Sequence, residues 1–592
     1  MKTKLLLLYK LIDEKNTKLF WIILGLSLLA ALLEMIGLGI LPMFVTFLSN
    51  PDSFTSNPKF SFLAPYTENK SRESLAIWGT GILLVFFALK TVYTLFVYFM
   101  QAIFVRNIIS STGISMFSRY MRAPYKYHIE ANNNEIIRNV THSPQYFGAA
   151  VALPIMQIIL NCAIIFVSII VLIMYDPYTT ISALLIPGVT FFCFHQFIKR
   201  KTSYYGRQLQ DSLSRALKIV NQGLGSFKET QVNGTQDYIT SEYNKSFYKI
   251  GKSFEFQKFA SSSVKPILEF FGMCTLAMIM AFSMYSTGSL ESTLPSLILI
   301  SAVIARVLPS GSQIISNLTS LKSYFSIVDD LAKDCDELSK LSNNENKKDT
   351  IISKNYATLG NINKIEVRNL YFKHDKAVEH ALKNISFEIE KGHSVAIIGP
   401  SGAGKSTLID NLLGLLAPTS GDILINDFPI RSTLTQWRTK IGYIPQNIFL
   451  IDDSIRKNVA FGVPPSEINE DKIWKALELA ELSSTVKKQP LGLETKVGER
   501  GIRFSGGQCQ RIGIARALYT DPEVLILDEA TSALDPSTEK RVLQNIFNWK
   551  KDQIVIMITH RIISARICNS ILVLKNGEII DTGEFNELSS LN

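Results

Sequence analysis

The chain has 592 residues, of which 47% are hydrophobic and 19% are charged. This composition is too apolar for an ordinary soluble protein and too charged for a purely membrane-embedded one, so it predicts a membrane part and a soluble part on one polypeptide. The formal net charge is +10 at pH 7. Because many basic residues flank the apolar segments, we expect them to orient the chain in a membrane and not to bind nucleic acid.

Six apolar stretches in the first part of the chain are long enough to cross the roughly 30 Å hydrocarbon layer of a bilayer. They occupy residues 19–48, 75–105, 148–174, 178–198, 267–285 and 294–315. We therefore predict a transmembrane domain with six helical spans over residues 1–328.

The distribution of Lys and Arg predicts which ends of these spans face the cytosol. The first 18 residues carry five Lys, the segment 106–147 carries five Lys or Arg, and the segment 199–266 carries twelve. On the other side of the membrane, the loop 50–74 carries three Lys or Arg, and the two short loops carry none. The positive-inside rule therefore predicts a multi-pass protein of the inner (plasma) membrane with both termini in the cytoplasm. The two long cytosolic segments contain few Gly or Pro, so we expect helices that extend out of the membrane and turn at polar tips, residues 124–134 and 221–234.

The last part of the chain has the pattern of an α/β domain. Residues 329–364 are polar around "SNNENKKD" and are interpreted as a linker. From residue 365 to residue 592, short β-branched runs such as "SVAIIG", "EVLILDEA" and "QIVIMITH" alternate with helical patterns. This alternation predicts a mostly parallel sheet covered by helices.

The stretch "GPSGAGKST" at residues 399–407 has the spacing of a phosphate-binding P-loop. It follows an apolar strand pattern and opens a helical one, which is the context that the motif requires. In such a loop backbone N–H groups surround the phosphates, Lys405 neutralises the β and γ oxygens, and Ser406 holds Mg²⁺. The fold class is thus a helical transmembrane domain followed by an α/β P-loop nucleotide-binding domain.

Two further strand ends carry polar residues suited to nucleotide hydrolysis. "EVLILDEA" ends in Asp528 and Glu529, where Asp528 would assist Mg²⁺ and Glu529 would polarise the attacking water. "MITHR" supplies His560, which we expect to contact the γ-phosphate and the water. "FSGGQ" places Ser505 before a helical pattern, and a helix start of this kind is a second anion site in the same domain.

The order of these motifs resembles that of ATP-binding cassette proteins, and the resemblance covers nearly the whole chain. Apolar spans followed by one cassette are similar to a half-transporter of the exporter type. In that family two cassettes meet head to tail, so that the Ser-Gly-Gly helix of one chain closes on the phosphate held by the other. The resemblance therefore implies a dimer with two shared sites, either a homodimer or a heterodimer.

The resemblance also implies the roles of individual residues. ATP would be held by His374, which would stack on adenine, and by Gly399, Ser401, Gly402, Ala403, Gly404, Lys405, Ser406, Thr407, Ser505, Gly506, Gly507, Gln508 and Asp535. Hydrolysis would depend on Glu529, His560 and Gln446, and Mg²⁺ would be bound by Ser406, Gln446 and Asp528. The two cytosolic tips are similar to coupling helices that seat on the cassettes, near Gln446 and the segment 496–501.

The sequence departs from the family pattern at three positions. Phe504 stands where Leu is commoner, and we expect it to pack. Cys509 replaces the usual Lys or Arg, and His374 replaces the usual Tyr at the adenine.

The transported molecule is the part of the function about which the sequence says least. Glu34, Lys90 and Arg306 lie within predicted spans, where a charge is costly, so they should face a cavity or each other. They either line a polar path for an anionic or sugar-bearing headgroup, or Glu34 pairs with Lys90 and only fixes helix packing. "LLEMIGLGILPMF" resembles the first span of bacterial lipid-linked oligosaccharide flippases and glycolipid exporters. A lipid-linked glycan, a glycolipid or another amphipathic substrate, moved out of the cytoplasmic leaflet, is therefore the leading prediction. Peptide or drug export is the alternative, and a channel or regulator that does not pump is disfavoured by the intact Glu529 and His560.

Overall fold

The structure is a computed structural model that describes residues 12–49, 72–175, 177–287, 294–352, 359–375, 377–498, 501–549 and 551–585. The chain divides into two compact units. The first comprises Met1–Ala123 and Glu130–Ser342, and the second comprises Pro124–Ile129 and Asn343–Asn592.

The first unit is helical in the residues that the structure describes. Its long helices are α1 (Glu14–Ser49), α2 (Arg72–Met121), α6 (Leu153–Tyr175), α7 (Pro177–Gly225), α9 (Gln236–Ser262), α10 (Val264–Thr287) and α11 (Leu294–Ile352). Between them lie the short helices α3 (Tyr125–Glu130), α4 (Asn133–Thr141), α5 (Ser143–Tyr146) and α8 (Phe227–Val232), and a π-helical turn over Phe147–Ala152. All but the last residue of α3 belongs to the second unit. Each predicted span coincides with helix, and helices α2 and α7 continue far beyond their apolar stretches, as the composition of segments 106–147 and 199–266 predicts. Short helices α3 and α8 form the two tips.

Three stretches of the described helices are long and apolar enough to cross a membrane: Glu14–Gly37, Ala76–Met121 and Asn133–Ile170. The predicted spans 178–198, 267–285 and 294–315 lie on α7, α10 and α11, where some side chains fall outside the described residues. Their membrane crossing, and with it the count of six, stays a prediction.

Helix α11 runs through much of the segment 329–364 that the sequence analysis assigns to a linker. It ends at Ile352, and residues 353–358 lie outside the described residues. Polar composition alone does not end a helix. Residues 329–352 contain no Gly or Pro and several Leu, Lys and Glu, which have high helix propensity.

The second unit contains two sheets and the helices that cover them. A four-stranded antiparallel sheet has the order β2-β1-β4-β5, and a six-stranded sheet has the order β10-β9-β3-β8-β7-β6. In the larger sheet all described pairs are parallel except that between β10 and β9. The mostly parallel sheet is thus confirmed. The strands are β1 (Lys364–Phe372), β2 (Leu382–Glu390), β3 (Ser394–Ile398), β4 (Ser420–Ile425), β5 (Phe428–Pro429), β6 (Ile441–Ile444), β7 (Val524–Asp528), β8 (Ile554–Ile558), β9 (Ser570–Lys575) and β10 (Glu578–Gly583).

Helices cover both faces of the larger sheet. They are α12 (Lys405–Leu412), α13 (Leu434–Thr439), α14 (Ile455–Val459), α15 (Glu470–Leu479), α16 (Ser483–Lys487), α17 (Gly506–Tyr519), α18 (Pro536–Trp549) and α19 (Ile562–Ala565). Along β7 and β8 alternate side chains enter two different hydrophobic clusters: Leu525, Leu527, Val555 and Met557 join one, and Val524, Ile526, Ile554 and Ile556 join the other. Burial on both faces explains why these strands read as continuous apolar runs.

Candidate functional site

The predicted catalytic residues follow neighbouring strands of the larger sheet. Strands β3, β8, β7 and β6 are adjacent in that order and parallel. The P-loop follows β3, His560 follows β8, Glu529 follows β7 and Gln446 follows β6. Because the carboxyl ends of parallel strands meet at one edge, residues far apart in the chain converge there.

The P-loop ends in a helix start that is suited to an anion. Gly404 is the N-cap residue of α12 and has a φ of 99°, in the left-handed region that favours glycine. A Cβ at Gly404 would also lie 2.6 Å from the carbonyl oxygen of Ala381. The first-turn amides of α12 have no acceptor within the helix, so they are free for phosphate oxygens.

Lys405 lies within this loop and is only 7% exposed. Its Nζ donates hydrogen bonds to the carbonyl oxygens of Gly399 and Pro400, each at 2.9 Å. Burial lowers the pKa of Lys405, and the charges of Glu529 and Asp528 act in the opposite direction. The loop thus holds a buried cation that an anionic ligand would stabilise. Of the other predicted loop residues, Ala403 is buried, Thr407 is half-buried, and Ser401, Gly402 and Ser406 are exposed.

Both carboxylate oxygens of Glu529 have a polar partner. Gln446 Nε2 donates to Oε2 at 2.7 Å, and His560 Nε2 lies 2.7 Å from Oε1. The backbone of Glu529 has a φ of 50°, and its N–H donates to the carbonyl oxygen of Ile558 at 3.1 Å. The three residues predicted to carry hydrolysis are therefore joined directly, with the carboxylate held in one orientation.

Asp528 occupies the buried end of β7. Burial and the neighbouring Glu529 charge raise the pKa of Asp528. The hydroxyl of Tyr443 donates to Asp528 Oδ2 at 3.5 Å, and burial raises the pKa of Tyr443, so this phenol stays protonated. A carboxylate that is costly to ionise alone is stabilised by a divalent cation, so Asp528 fits a magnesium ligand. The sequence analysis did not select Tyr443, although it lies on β6, opposite Ile526 of β7.

Ser505 and Gln508 form a reciprocal cap at the start of α17. Gln508 N–H donates to Ser505 Oγ at 3.3 Å, and Ser505 N–H donates to Gln508 Oε1 at 2.9 Å. A Cβ at Gly507 would lie 3.0 Å from the carbonyl oxygen of Ala533, so a glycine suits the close approach of this turn. Gly506 precedes it in the first turn. In the described part of the chain, no hydrogen bond joins residues 505–508 to the P-loop of the same chain.

Gln510 connects helix α17 to the segment that follows Glu529. No motif in the sequence predicts this connection. Its Nε2 donates to Ser532 Oγ at 3.1 Å, and its Oε1 accepts the N–H of Ala533 at 2.9 Å. Farther along this segment, Asp535 Oδ1 accepts hydrogen bonds from the Ser537 hydroxyl at 2.6 Å and from the Thr538 N–H at 3.0 Å. These bonds hold the pKa of Asp535 well below its usual range. Because its partners Ser537 and Thr538 lie in the first turn of α18, the Asp535 side chain fixes the start of that helix.

The three departures from the family pattern have different surroundings. Phe504 and Cys509 are partly buried and pack against the hydrophobic core, as expected for Phe504. His374 follows β1, with its ring in an edge contact with Phe372 at 4.8 Å between centroids. Stacking of His374 on adenine stays a prediction.

The charged residues of the predicted spans come together in the first unit. Glu34 Oε1 lies 3.3 Å from Lys90 Nζ and 2.5 Å from Arg306 Nη2. The side chains of Glu34, Lys90 and Arg306 are 21%, 12% and 41% exposed. One carboxylate thus contacts two cations, and the more exposed cation is Arg306.

Comparisons with known proteins agree with this architecture. The profile of the family "ABC transporter transmembrane region" matches residues 20–308, and that of "ABC transporter" matches residues 382–532. The chain is 28% identical over 423 residues to the ATP-dependent lipid A-core flippase of Cupriavidus metallidurans, covering 70% of this chain and 68% of the relative. It is 31% identical over 423 residues to ABC transporter B family member 6 of Dictyostelium discoideum, covering 68% and 61%.

A solved structure shows the same fold. The structure of a bacterial Atm1-family ABC exporter with ATP bound superposes with a TM-score of 0.73 and covers 96% of each chain, at 21% sequence identity. The family profiles, the relatives and the fold lead to one conclusion: the chain is an ABC exporter half-transporter, with a membrane-spanning region and an ATP-binding ABC transporter domain on one polypeptide.

Proposed function

We propose that this protein is an ATP-driven exporter or flippase that works as a dimer. It would move a lipid-linked glycan, a glycolipid or another amphipathic molecule out of the cytoplasmic leaflet of the inner membrane. The observation that carries the proposal is the Glu529 carboxylate held between Gln446 and His560. A pumping transporter needs this arrangement, whereas a channel that does not pump could lose it.

The chemistry follows from what each side chain can do. Lys405 would exchange its two carbonyl partners for phosphate oxygens, a stronger charge-assisted interaction. Glu529 would accept a proton from the attacking water, because Gln446 and His560 hold its carboxylate in one orientation and each oxygen keeps a second lone pair. Mg²⁺, which Ser406, Gln446 and Asp528 would hold, supplies positive charge against the phosphate oxygens. His560 would orient the water or the terminal phosphate.

A dimer accounts for the second anion site. The amides of Gly506 and Gly507, in the first turn of α17, have no acceptor within the helix, and no described hydrogen bond connects this turn with the P-loop of its own chain. In a two-fold dimer the α17 helix of each chain would close on the nucleotide of the other. Two copies of this chain suffice, because it carries Glu529 and His560 itself.

The coupling between the two units would pass through the tips of the cytosolic helices. Residues 124–129, which interrupt the first unit in sequence, belong to the second unit. Within that unit Lys126 Nζ lies 2.5 Å from Asp375 Oδ2. We propose that α3 transmits closure of the ATP site to the spans, and that both termini lie in the cytoplasm.

The substrate class is inferred from the membrane charges and the relatives. Two cations share one carboxylate at Glu34, so this cluster retains positive charge for an anionic headgroup. Several relatives at 26–28% identity are named ATP-dependent lipid A-core flippases. Both observations favour an anionic, amphipathic lipid over a neutral drug or a peptide.

ATPase activity and transport of the purified protein in liposomes test the proposal. The panel comprises polyprenyl-linked glycans, glycolipids, phospholipids, peptides and hydrophobic drugs. We expect stimulation of ATPase activity and ATP-dependent movement for lipids with anionic headgroups. Stimulation by peptides or drugs alone would overturn the substrate class, and ion conductance without ATP-dependent transport would overturn the pump.

A further inference from the structure

A polar cleft of about 670 Å³ opens between helices α7 and α9, in the part of the first unit that follows the fourth predicted span. Ten residues of these two helices line it: Arg200, Ser203, Tyr204, Arg207, Gln208, Asp211, Ser212, Arg215, Ser246 and Lys249. The charges at Glu34, Lys90 and Arg306 are not part of it.

The cleft has an excess of positive charge. Arg200, Arg207 and Arg215 recur every seven or eight residues and so lie on one face of α7. Lys249 faces them from α9, and Asp211 is the single carboxylate among the lining residues. None of the four cations takes part in an ion pair within the described residues. The nearby Glu242 is already bound to Lys245, with 2.6 Å between Oε1 and Nζ. The cleft therefore attracts an anion.

The lining also contains polar groups for which the described residues provide no partner. Ser212 and Ser246 are only 6% and 3% exposed, and no hydrogen bond of their hydroxyls is found in the part of the chain that the structure describes. Gln208 Oε1 is buried without a donor. Leaving such groups unsatisfied costs free energy, so they favour a ligand that accepts from the two hydroxyls and donates to Gln208. A phosphate oxygen accepts, and a glycerol or sugar hydroxyl donates.

The position of the cleft indicates where this ligand comes from. Arg200 follows the predicted span 178–198 by two residues, and Tyr204, one turn later, is 65% exposed. Arg and an exposed Tyr next to an apolar span are typical of the membrane–water interface, where the charged heads of anionic lipids lie. The cleft begins at this level and follows α7 toward the cytosol.

From these observations we infer that the cleft binds the hydroxyl-bearing phosphate headgroup of a lipid in the cytoplasmic leaflet. It is a second lipid site, separate from the charged cluster of the spans. This inference rests on the membrane orientation proposed above, with both termini in the cytoplasm. It does not depend on transport activity, so lipid binding and lipid transport are measured separately.

Binding of short-chain lipids to the full-length protein in detergent tests this site. The probes are dioctanoyl phosphatidylglycerol, dioctanoyl phosphatidylcholine, glycerol 3-phosphate and inorganic phosphate, with affinities measured by native mass spectrometry. We expect phosphatidylglycerol to bind most tightly. The double change Arg207→Gln with Arg215→Gln should lower the affinity for phosphatidylglycerol about tenfold, because two charge-assisted contacts are lost. The double change Ser212→Ala with Ser246→Ala keeps every charge and should lower this affinity about threefold.

The matched control is Lys218→Gln with Lys252→Gln, which removes the same charge from exposed positions of the same two helices, outside the cleft. It should leave the affinity for phosphatidylglycerol unchanged. Equal weakening by the lysine control, or unaltered binding in both cleft variants, would overturn the site. Glycerol 3-phosphate or phosphate binding as tightly as the lipid would overturn the lipid source. If the protein shows no transport while phosphatidylglycerol binds as predicted, the proposed function is refuted and the lipid site is supported.

Discussion

Removal of the Glu34 carboxylate should destabilise the transmembrane unit more than removal of either cation. In Glu34→Gln, Lys90 and Arg306 lose their shared partner at 3.3 Å and 2.5 Å. Breaking a buried ion pair costs about 3–5 kcal/mol, because one charge is left uncompensated. Since Arg306 is 41% exposed and can be hydrated, we expect the lower end, about 3 kcal/mol.

The companion variants separate pairing from substrate contact. Lys90→Gln keeps the pair between Glu34 and Arg306, so it should cost only about 1 kcal/mol. The double change Glu34→Gln with Lys90→Gln leaves Arg306 alone and half-exposed, and should recover most of the stability lost in Glu34→Gln.

Thermal unfolding and transport in proteoliposomes are measured for the wild type, both single variants and the double variant. Recovery of stability without recovery of transport would assign Glu34 to the substrate path. Recovery of both would assign it to helix packing. Equal destabilisation by Glu34→Gln and Lys90→Gln would refute the reasoning, since it would mean that the two charges are not arranged as one anion between two cations.

Three further predictions concern the nucleotide-binding unit. Glu529→Gln should retain ATP binding, lower turnover at least about 100-fold and accumulate an ATP-bound closed dimer; near-normal steady-state ATPase activity would contradict the role of Glu529. In a mixed dimer with Lys405→Ala in one chain and Ser505→Arg in the other, both changes fall on one shared site, so ATP should be trapped at the remaining site; trapping at neither site would exclude sharing. Burial and the Asp528 charge raise the pKa of Asp410 to about 6, above its value in the unfolded chain. Ionising Asp410 therefore costs stability as the pH rises from about 4 to about 6, and Asp410→Asn should raise the melting temperature at pH 7.5 but not at pH 4.5. A gain of the same size at both pH values would contradict this assignment.

The convergence of the P-loop, Glu529, His560 and Gln446 could be predicted because these residues stand at strand ends with recognisable spacing. Lys405, Glu529 and His560 each follow an apolar run that is buried on both faces, and parallel pairing then brings those ends together. The sequence pattern thus predicts where these side chains lie, while their roles in hydrolysis stay a prediction.

Contacts between side chains that lack such a pattern could not be predicted. Gln510 lies within a helix and gives no local signal of its bonds to Ser532 and Ala533. The contact of Arg306 with Glu34 joins residues 272 positions apart, from helices whose rotation one sequence does not define. The polar composition after residue 329 predicts a linker, whereas the helix propensity of the same residues, which include no Gly or Pro up to residue 352, favours the continuation of α11 that the structure has.

The backbone conformation of Glu529 opposes stability to the catalytic role proposed for this residue. A left-handed φ of 50° is unfavourable by roughly 1–2 kcal/mol for a residue with a Cβ, and glycine avoids this cost. Laboratory evolution that selects only for heat resistance should therefore tend to enrich Gly at position 529, and the resulting transporters would be robust but inactive. Any screen for stabilised variants of this protein needs ATP turnover as a second filter.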